Sequence, residues 1–438
     1  MVIREIETRT LREIQHYQEQ ELKKLLRYLT LNSGFYNRLL EKHNFDIESI
    51  NTINDLRQIP LTTKEDLQLH GADFVCVNKN KIIDYITTSG TLGEPVIFAL
   101  TDSDLDRLAL NEYHGFRIAG CTHDDVFQLM TTIDRRFMAG LAYFLGSRML
   151  KSAMVRVGNG IPELQWDSIK RFSPTTIVAV PSFLLSIIDY AEKNGIDHHS
   201  CSVKRAVCIG DSIRNTDFSY NTLGKKIADR WPELKLHSTY ASTEMATSFT
   251  ECEYGVGGHH LPDLIIVEFL DENDQPVPPG IPGEVTITTL GVEGMPLLRF
   301  KTGDIATAHE EPCKCGRNTI RLGPVIGRKK QMIKFKGTTL YPPALYDILE
   351  NIDGVKNYVV EVYTNQIGTD EILIRVGSLN HSESFEKTIK DHFRAKLRVA
   401  PSISFETTDY ISSLQHPPMS RKPVKLIDRR SEDNNLKI

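Results

Sequence analysis

The sequence predicts an α/β protein with a large amino-terminal domain and a small carboxy-terminal α+β domain. Between about residues 82 and 300, short runs rich in β-branched residues alternate with helical stretches, which is typical of mainly parallel sheets covered by helices. Within this region, 264–290 contains two strand-like runs around a Pro/Gly/Asp turn and predicts an antiparallel β meander. The pattern changes again near Gly327, so we expect domains at 1–327 and 328–438.

Individual elements follow from local patterns. Apolar residues recur at helical spacing through residues 4–46, and the Thr-Thr pair before Glu65 and Asp66 indicates the start of a further helix. In the large domain we expect two strand-then-helix pairs: strand 175–180 before helix 181–195, and strand 204–210 before a helical stretch at 211–231. In the small domain we expect strands 358–365 and 371–377 and helix 383–397. The tail at 411–438 is expected to be an exposed loop with a short end.

Composition excludes several classes of function. The 438 residues carry 52 Lys and Arg against 57 Asp and Glu, a net charge of −5 without long runs, which argues against nucleic-acid or acidic-membrane partners. The charged start is unlike a signal peptide, and no apolar run approaches the ~20 residues of a membrane span. Seven cysteines, an odd number, do not suggest a disulfide framework, so we expect a reducing, cytoplasmic location.

A first candidate binding segment is "TTSGTLGEP" at 87–95, a turn rich in hydroxyls and glycine between two β-prone runs. Backbone N–H groups and hydroxyls in such a turn can bind a phosphate, although it lacks the spacing of a Walker loop. The alternative is a plain turn.

Two further segments place polar side chains at predicted strand ends. In "HSTYASTEMA" (237–246) a tyrosine could stack on a base while a threonine and a glutamate face a phosphate and Mg²⁺; the alternative is a helix capping box at Ser242 or Thr243. In "RFKTGDIA" (299–306) Asp304 could accept hydrogen bonds from ribose hydroxyls, or simply satisfy its own turn.

The last two segments are basic. "GRKKQMIKFKG" (327–337) places Arg328 at the expected domain boundary, and "PPMSRKPVKLIDRR" (417–430) places Lys422 in a turn-rich tail. Taken singly, each is also explained as a solvated basic stretch.

The order and spacing of these five segments resemble the adenylate-forming (acyl/aryl-CoA ligase) superfamily, most closely its phenylacetate-CoA ligase-like branch, over nearly the whole chain. "FYNRLL", "IPLTTKEDL", "ECEYGVGGHH" and "CKCGR" are similar to patterns of that branch. The resemblance implies an ATP-dependent acid–thiol ligase. A carboxylate attacks the α-phosphorus of ATP, giving an acyl-adenylate and pyrophosphate, and a thiol, typically that of coenzyme A, then displaces AMP.

The resemblance also implies roles for single residues. It implies β/γ-phosphate contacts for Ser89, Gly90, Thr91 and Gly93; adenine-side contacts for Tyr240, Ala241, Ser242, Gly210, Asp211 and Ser212; α-phosphate and Mg²⁺ contacts for Thr243 and Glu244; and ribose contacts for Asp304 and Arg328. Lys422 is implied as the catalytic lysine and Lys330 as the hinge about which a mobile carboxy-terminal domain turns between the two half-reactions.

The chain departs from the family pattern at several positions. Leu92 and Glu94 stand where threonine and lysine are usual, and Arg421 replaces the glycine before the lysine. Lys425 stands where an arginine is frequent, and it remains an alternative to Lys422.

The acid-binding segment is expected at 131–146, where Phe137, Ala139 and Tyr143 could line an apolar or aromatic pocket; the alternative is that they belong to a helix core. The substrate implied is phenylacetate or a related aryl or arylalkyl acid. Two other functions stay open: an adenylating enzyme that loads a carrier protein or transfers AMP to another acceptor, and a catalytically silent nucleotide-binding regulator. A homodimer is implied by the resemblance alone.

A metal site is also expected. A C-x-C pair with a distant cysteine and histidine offers the four ligands that tetrahedral zinc takes, and the branch carries similar patterns. The expected ligands are Cys252, His259, Cys313 and Cys315, with His260 as the alternative histidine.

Overall fold

The computed structural model describes residues 3–88, 95–336, 338–365, 369–417 and 423–430. The chain divides into two compact units, Met1–Val325 and Ile326–Ile438. None of the described helices is long and apolar enough to cross a lipid bilayer.

Helices and strands alternate through most of the first unit. Its helices are α1 (Glu5–Thr8), α2 (Leu11–Asn32), α3 (Gly34–Lys42), α4 (Lys64–His70), α5 (Asp102–Ile118), α6 (Met138–Leu150), α7 (Pro162–Phe172), α8 (Pro181–Lys193) and α9 (Thr222–Arg230). Its strands are β1 (Ile82–Thr87), β2 (Ile97–Thr101), β3 (Val126–Leu129), β4 (Ala153–Arg156), β5 (Thr176–Ala179), β6 (Arg205–Ile209), β7 (Lys235–Ser242), β8 (Thr247–Glu251), β9 (Gly258–His259), β10 (Ile265–Leu270), β11 (Gly283–Thr289), β12 (Phe300–Ala306), β13 (Ala308–His309) and β14 (Arg321–Leu322).

The principal sheet of the first unit joins nine of its described strands in the order β13-β14-β9-β8-β7-β6-β5-β3-β4. Strands β4, β3, β5, β6 and β7 run parallel to one another, whereas β8 turns back antiparallel to β7. Parallel strands need crossovers, and helices α6 to α9 supply them. The predicted α/β fold is confirmed.

The meander and the helix starts follow the predicted patterns. Strand β10 pairs antiparallel with β11, and β11 pairs antiparallel with β12, as the run at 264–290 predicts. Helix α4 begins with a capping box in which Thr63 and Asp66 bond each other's backbone N–H groups. One expectation is wrong: only Thr222–Arg230 of the stretch 211–231 is helical. Before it, Asn215 donates its backbone N–H to Ser219 O at 2.9 Å, so polar turn contacts replace the first helical turns.

The second unit is an α+β structure. It contains strands β15 (Gly327–Arg328), β16 (Ile333–Phe335), β17 (Thr338–Leu340), β18 (Asn357–Thr364), β19 (Asp370–Gly377), β20 (Ser402–Glu406) and β21 (Leu426–Asp428), and helices α10 (Pro342–Glu350), α11 (Glu383–Leu397) and α12 (Thr408–Gln415). A sheet in the order β20-β19-β18-β21 carries the buried apolar core of the unit.

The expectation of an exposed loop from 411 onward is wrong. Helix α12 extends to Gln415, with Ile411 fully buried, and β21 pairs in parallel with β18. A single apolar residue per turn and a three-residue edge strand are too short to stand out in a polar, basic tail.

Candidate active site and metal cluster

The residues expected on the adenine side lie at the carboxyl ends of β6 and β7. These strands are parallel neighbours, with Ile209 paired to Thr239, so their following residues share one edge of the sheet. Gly210 follows β6 with φ +81°, a left-handed conformation that glycine adopts without strain. Next to it, Asp211 accepts a hydrogen bond from Ser182 Oγ at 2.9 Å. Ser212 continues the same turn by donating its hydroxyl to Arg214 O at 3.1 Å.

Tyr240 of β7 and Asp304 of β12 touch across two different sheets. The Tyr240 hydroxyl donates to Asp304 Oδ2 at 2.8 Å. Burial raises the pKa of Tyr240 well above its ordinary value, and the Asp304 carboxylate adds to the shift. The Asp304 backbone N–H donates to Thr302 Oγ1 at 3.1 Å, which holds the turn at Gly303. Two side chains expected on either side of a nucleoside are therefore bonded to each other.

Thr243 and Glu244 lie in the turn of the hairpin that joins β7 to β8. Ser242 pairs with Thr247 across the strands, and Ser242 Oγ accepts the Met245 backbone N–H at 3.3 Å. Both Thr243 and Glu244 are half-buried. The segment is a hairpin turn and not a helix start, so the capping-box alternative does not hold. Ala241 and Ser242 form the last residues of β7.

The expected acid-binding residues surround the start of α6. Phe137 precedes the helix and is half-buried, as is Ala139, whereas Tyr143 is only 2% exposed. The Tyr143 ring lies 6.0 Å from the ring of Phe116 in one core cluster. Just before α6, Arg136 O accepts the backbone N–H of Thr87 at 3.1 Å. The segment therefore lies against the end of β1, where the expected phosphate loop begins.

Several expected residues lie outside the described part of the chain: Ser89, Gly90, Thr91, Gly93 and Lys422. Their described flanks are well held. Thr88 donates its backbone N–H to Val96 O at 3.0 Å beside the β1–β2 pair. In the second unit, Val360 donates its backbone N–H to Lys425 O at 2.9 Å. Arg328 in β15 and Lys330 in the following 3-10 turn are exposed.

The four expected metal ligands form one cluster in the first unit. Their ligand atoms, from Cys252, His259, Cys313 and Cys315, all lie within 4.8 Å of one another. The two sulfurs of Cys252 and Cys313 are 3.7 Å apart, and Cys315 Sγ is 3.4 Å from His259 Nε2. A tetrahedral zinc ion with bond lengths of about 2.3 Å to sulfur and about 2.0 Å to nitrogen requires separations of roughly 3.5–3.8 Å. The residues present therefore fit a zinc ion.

Hydrogen bonds around the cluster distinguish His259 from His260 as the ligand and indicate which ring nitrogen of His259 faces the sulfurs. His259 Nδ1 lies 3.1 Å from Thr319 Oγ1, and a hydrogen bond there leaves Nε2 for a metal. His260 instead bonds Ile265 O through Nε2 at 2.6 Å and stacks on Phe249, so it is not the ligand. The Cys252 thiol donates to Cys315, which lowers the pKa of Cys315.

A buried ionic link, which the sequence analysis missed, joins the cluster loop to the amino-terminal segment. Arg317 is 2% exposed and donates Nη1 to Cys315 Sγ at 3.5 Å and Nε to Glu7 Oε2 at 3.0 Å. Asn318 donates its backbone N–H to Glu7 O at 2.8 Å and its amide to Thr8 O at 2.7 Å. Hydrogen bonds therefore join residues 3–9 to the loop that carries the expected metal ligands Cys313 and Cys315. No local pattern signals a contact of this sequence separation.

Comparison with known proteins now places the chain. Phenylacetate-coenzyme A ligase of Thermus thermophilus is 28% identical over 377 residues, which cover 85% of this chain and 83% of that protein. The Escherichia coli phenylacetate-coenzyme A ligase is 26% identical over 363 residues, covering 82% and 81%. A crystal structure of 2-hydroxyisobutyryl-CoA ligase in the postadenylation state, in complex with R3-HIB-AMP, superposes with a TM-score of 0.83 at 20% identity, covering 98% of this chain and 93% of that one.

The structural likeness, at low identity, shows the fold. A family model described as "AMP-binding enzyme" matches residues 16–294. Together with the similar phenylacetate-coenzyme A ligases, this match confirms the resemblance to the adenylate-forming superfamily and its phenylacetate-CoA ligase-like branch. The chain belongs to the AMP-binding enzyme family.

Proposed function

We propose that the protein is an ATP-dependent acid–thiol ligase that forms an acyl-adenylate and then an acyl-CoA. One observation carries this proposal: Tyr240 and Asp304 are joined by a 2.8 Å hydrogen bond next to the hairpin turn that presents Thr243 and Glu244. Tyr240, Thr243 and Glu244 lie at the carboxyl end of β7, where mainly parallel sheets bind nucleotides, and Asp304 reaches Tyr240 from the separate sheet of the meander. The similar phenylacetate-coenzyme A ligases favour this function over carrier-protein loading and over a silent regulator.

The nucleoside is held between the two sheets. Tyr240 stacks on adenine, with Ala241, Ser242 and the turn Gly210–Ser212 at the edge of the base. Asp304 accepts the ribose hydroxyls, with Tyr240 holding its second oxygen in place. Arg328 also contacts the ribose. The β- and γ-phosphates bind the loop that carries Ser89, Gly90, Thr91 and Gly93.

Positioning and charge stabilisation carry the first half-reaction. A carboxylate oxygen of the acid attacks the α-phosphorus, a new P–O bond forms, and the bond to the bridging oxygen breaks, so that pyrophosphate leaves. Thr243 and Glu244 offer the hydroxyl and carboxylate oxygens that Mg²⁺ prefers, and Mg²⁺, when bound, neutralises phosphate charge. The Lys422 ammonium stabilises the charge that accumulates on the phosphoryl oxygens.

In the second half-reaction the thiol of coenzyme A attacks the acyl carbon and AMP leaves, its phosphate taking the bonding electrons while the thiol proton passes to solvent. The carboxy-terminal domain, 328–438 by our assignment, turns about Lys330 between the two steps. We assign the catalytic role to Lys422 because the alternative, Lys425, is bound to Glu350 at 2.7 Å and lies 5.6 Å from the Tyr346 and Tyr358 ring centroids.

The acid is phenylacetate or a related aryl or arylalkyl acid, bound near Phe137, Ala139 and Tyr143. The cluster of Cys252, His259, Cys313 and Cys315 holds a structural zinc ion, which would cross-link β8, β9 and the loop before β14. The free thiols of the other cysteines support a reducing, cytoplasmic location. The homodimer implied by the resemblance stays a prediction.

The function is tested with a panel of carboxylic acids. The purified protein is expected to exchange labelled pyrophosphate into ATP with at least one aryl or arylalkyl acid, and to release AMP when coenzyme A is then added. Reactions without acid, and reactions with a carrier-protein thiol in place of coenzyme A, are the controls. Measurable ATP binding without exchange for any acid would contradict the proposal and favour a regulator.

The Tyr240–Asp304 bond gives a second prediction. Tyr240→Phe keeps the aromatic face but removes the hydrogen bond to the carboxylate, and a bond to a charged group contributes about 1.5–3 kcal/mol. We expect the KM for ATP to rise about tenfold or more with little change in kcat. Tyr410→Phe, at an exposed tyrosine of α12, is the matched control and is expected to leave both unchanged. An unaltered KM in Tyr240→Phe would show that Asp304 needs no such support.

A further inference from the structure

Glu112 is a buried carboxyl group with no role in the nucleotide site or the metal cluster. It lies on α5, is 6% exposed, and accepts a hydrogen bond from Asn111 Nδ2 at 2.9 Å. Among the described residues no ion pair to it is seen, and burial raises the pKa of Glu112 to about 8. Burying a carboxyl group with one neutral partner is unfavourable, and buried groups of this kind are frequent at functional sites.

The surroundings of Glu112 are polar and closely packed. A Cβ added to Gly146 of α6 would clash with Glu112 Cβ, so the two helices touch at this point. A Cβ added to Gly115 would lie 3.7 Å from Glu112 Oε2 and 3.4 Å from Ser248 Oγ, which places the carboxylate towards the hydroxyl-bearing face of β8. Tyr143 lies three residues before Gly146 on α6, and burial, with a smaller contribution from Glu112, raises the pKa of Tyr143.

Asn111, the neighbour of Glu112, connects α5 to the β7–β8 hairpin. Asn111 Oδ1 accepts the backbone N–H of Ser248 at 2.9 Å, and Ser248 pairs with Ala241 in the β7–β8 hairpin. The next pair of the hairpin, Ser242 with Thr247, is one residue, roughly 3.4 Å, further along the strands. That pair closes the turn that carries Thr243 and Glu244. Glu112, next to Asn111 on α5, thus lies near the turn of Thr243 and Glu244, and α6, which carries Tyr143, packs against Glu112 at Gly146.

We propose that Glu112 and Tyr143 form the far end of the acid-binding site and select an aryl or arylalkyl acid that carries a hydroxyl group distant from its carboxylate. This inference rests on the proposed function and deepens it. A hydroxyl group can donate to the Glu112 carboxyl, beside the bond from Asn111, and accept from the Tyr143 phenol, whereas an unsubstituted ring offers neither a polar partner. Sites built to bond a substrate hydroxyl discriminate strongly against the analogue that lacks it.

The test compares phenylacetate with 3-hydroxy- and 4-hydroxyphenylacetate by kcat/KM in pyrophosphate exchange. We expect the wild-type protein to prefer at least one hydroxy acid by about tenfold or more. Glu112→Leu is expected to lower kcat/KM for the preferred hydroxy acid about tenfold or more relative to kcat/KM for phenylacetate, and so to abolish that preference. Glu112→Gln, which keeps the shape, is expected to reduce the preference severalfold and carries the test if the leucine variant does not fold. Glu268→Gln is the control: it changes a half-buried glutamate of β10 that pairs with Arg299, and should leave the preference unchanged.

Two results would overturn the inference while the proposed function stands. One is a wild-type protein that uses phenylacetate as well as the hydroxy acids, and the other is a Glu112→Leu variant that loses activity equally with all acids. An amino-substituted phenylacetate preferred over both hydroxy acids would also overturn it. Absence of exchange with every acid would refute the proposed function itself, and the inference with it.

Discussion

Replacing Lys422 with alanine is expected to slow acyl-adenylate formation about 10²- to 10³-fold, the usual cost of removing one group that stabilises transition-state charge. Conversion of a supplied acyl-adenylate to the thioester should fall much less, because the charge that this lysine neutralises develops on the phosphoryl oxygens only in the first step. Pyrophosphate exchange measures the first half-reaction, and single-turnover formation of acyl-CoA from added acyl-adenylate measures the second.

Lys425→Ala is the matched control in the same segment. Its ammonium is bound to Glu350 at 2.7 Å, so its loss should lower the stability of the second unit without separating the two half-reactions. Equal losses in both assays for Lys422→Ala would contradict the assigned role. A selective loss of adenylation in Lys425→Ala would transfer that role to Lys425.

Removal of the metal ligands is expected to produce the largest change in stability. Cys313→Ser should abolish stoichiometric zinc and lower the free energy of unfolding of the first unit by about 4 kcal/mol or more, the stabilisation given by a ligand at 1,000 times its Kd. Two of the other ligands, Cys252 and His259, are at most 2% exposed, so the variant also leaves buried polar groups unpaired. Elemental analysis of the purified protein and thermal unfolding with and without a chelator are the measurements.

A local readout separates this effect from general loss of stability. Glu7 reaches the cluster loop through Arg317, so chelation should expose residues 3–9 to limited proteolysis before the rest of the unit unfolds. Cys201→Ser, which changes a half-buried thiol outside the cluster, should retain zinc and resist cleavage. A wild-type protein purified without bound metal, or zinc retained in full by Cys313→Ser, would show that the four residues are not a zinc site.

The predictable parts of the fold and site are those encoded locally. The meander, the capping box at Thr63 and the bounds of helix 383–397 each depend on residues within a few positions of one another, and the structure confirms them. The convergence of Cys252, His259, Cys313 and Cys315 was also predictable, because few residue types bind zinc and their number matched its coordination.

What could not be predicted depends on how distant elements pack. The bond between Tyr240 and Asp304 joins residues 64 positions apart in two sheets, and strand periodicity says nothing about how sheets meet. The burial of Glu112 could not be predicted for the same reason. A glutamate on an amphipathic helix is ordinarily solvated, and it is the packing of Gly146 and β8 against α5 that buries this one. The wrong expectation for the tail arose because β21 is stabilised by its neighbour β18 and not by its own composition.

The Glu7–Arg317 link has a consequence for how the chain acquires its structure. The two residues are separated by 310 positions, so at about 5–20 residues per second a ribosome needs roughly 15–60 s to deliver the second after the first. Throughout that interval the Glu7 carboxylate can pair with Arg4 but not with Arg317, and contacts of such separation form slowly even when both ends are present. Residues 3–9 are therefore among the last to reach their final place, in the same late event that completes the cysteine loop.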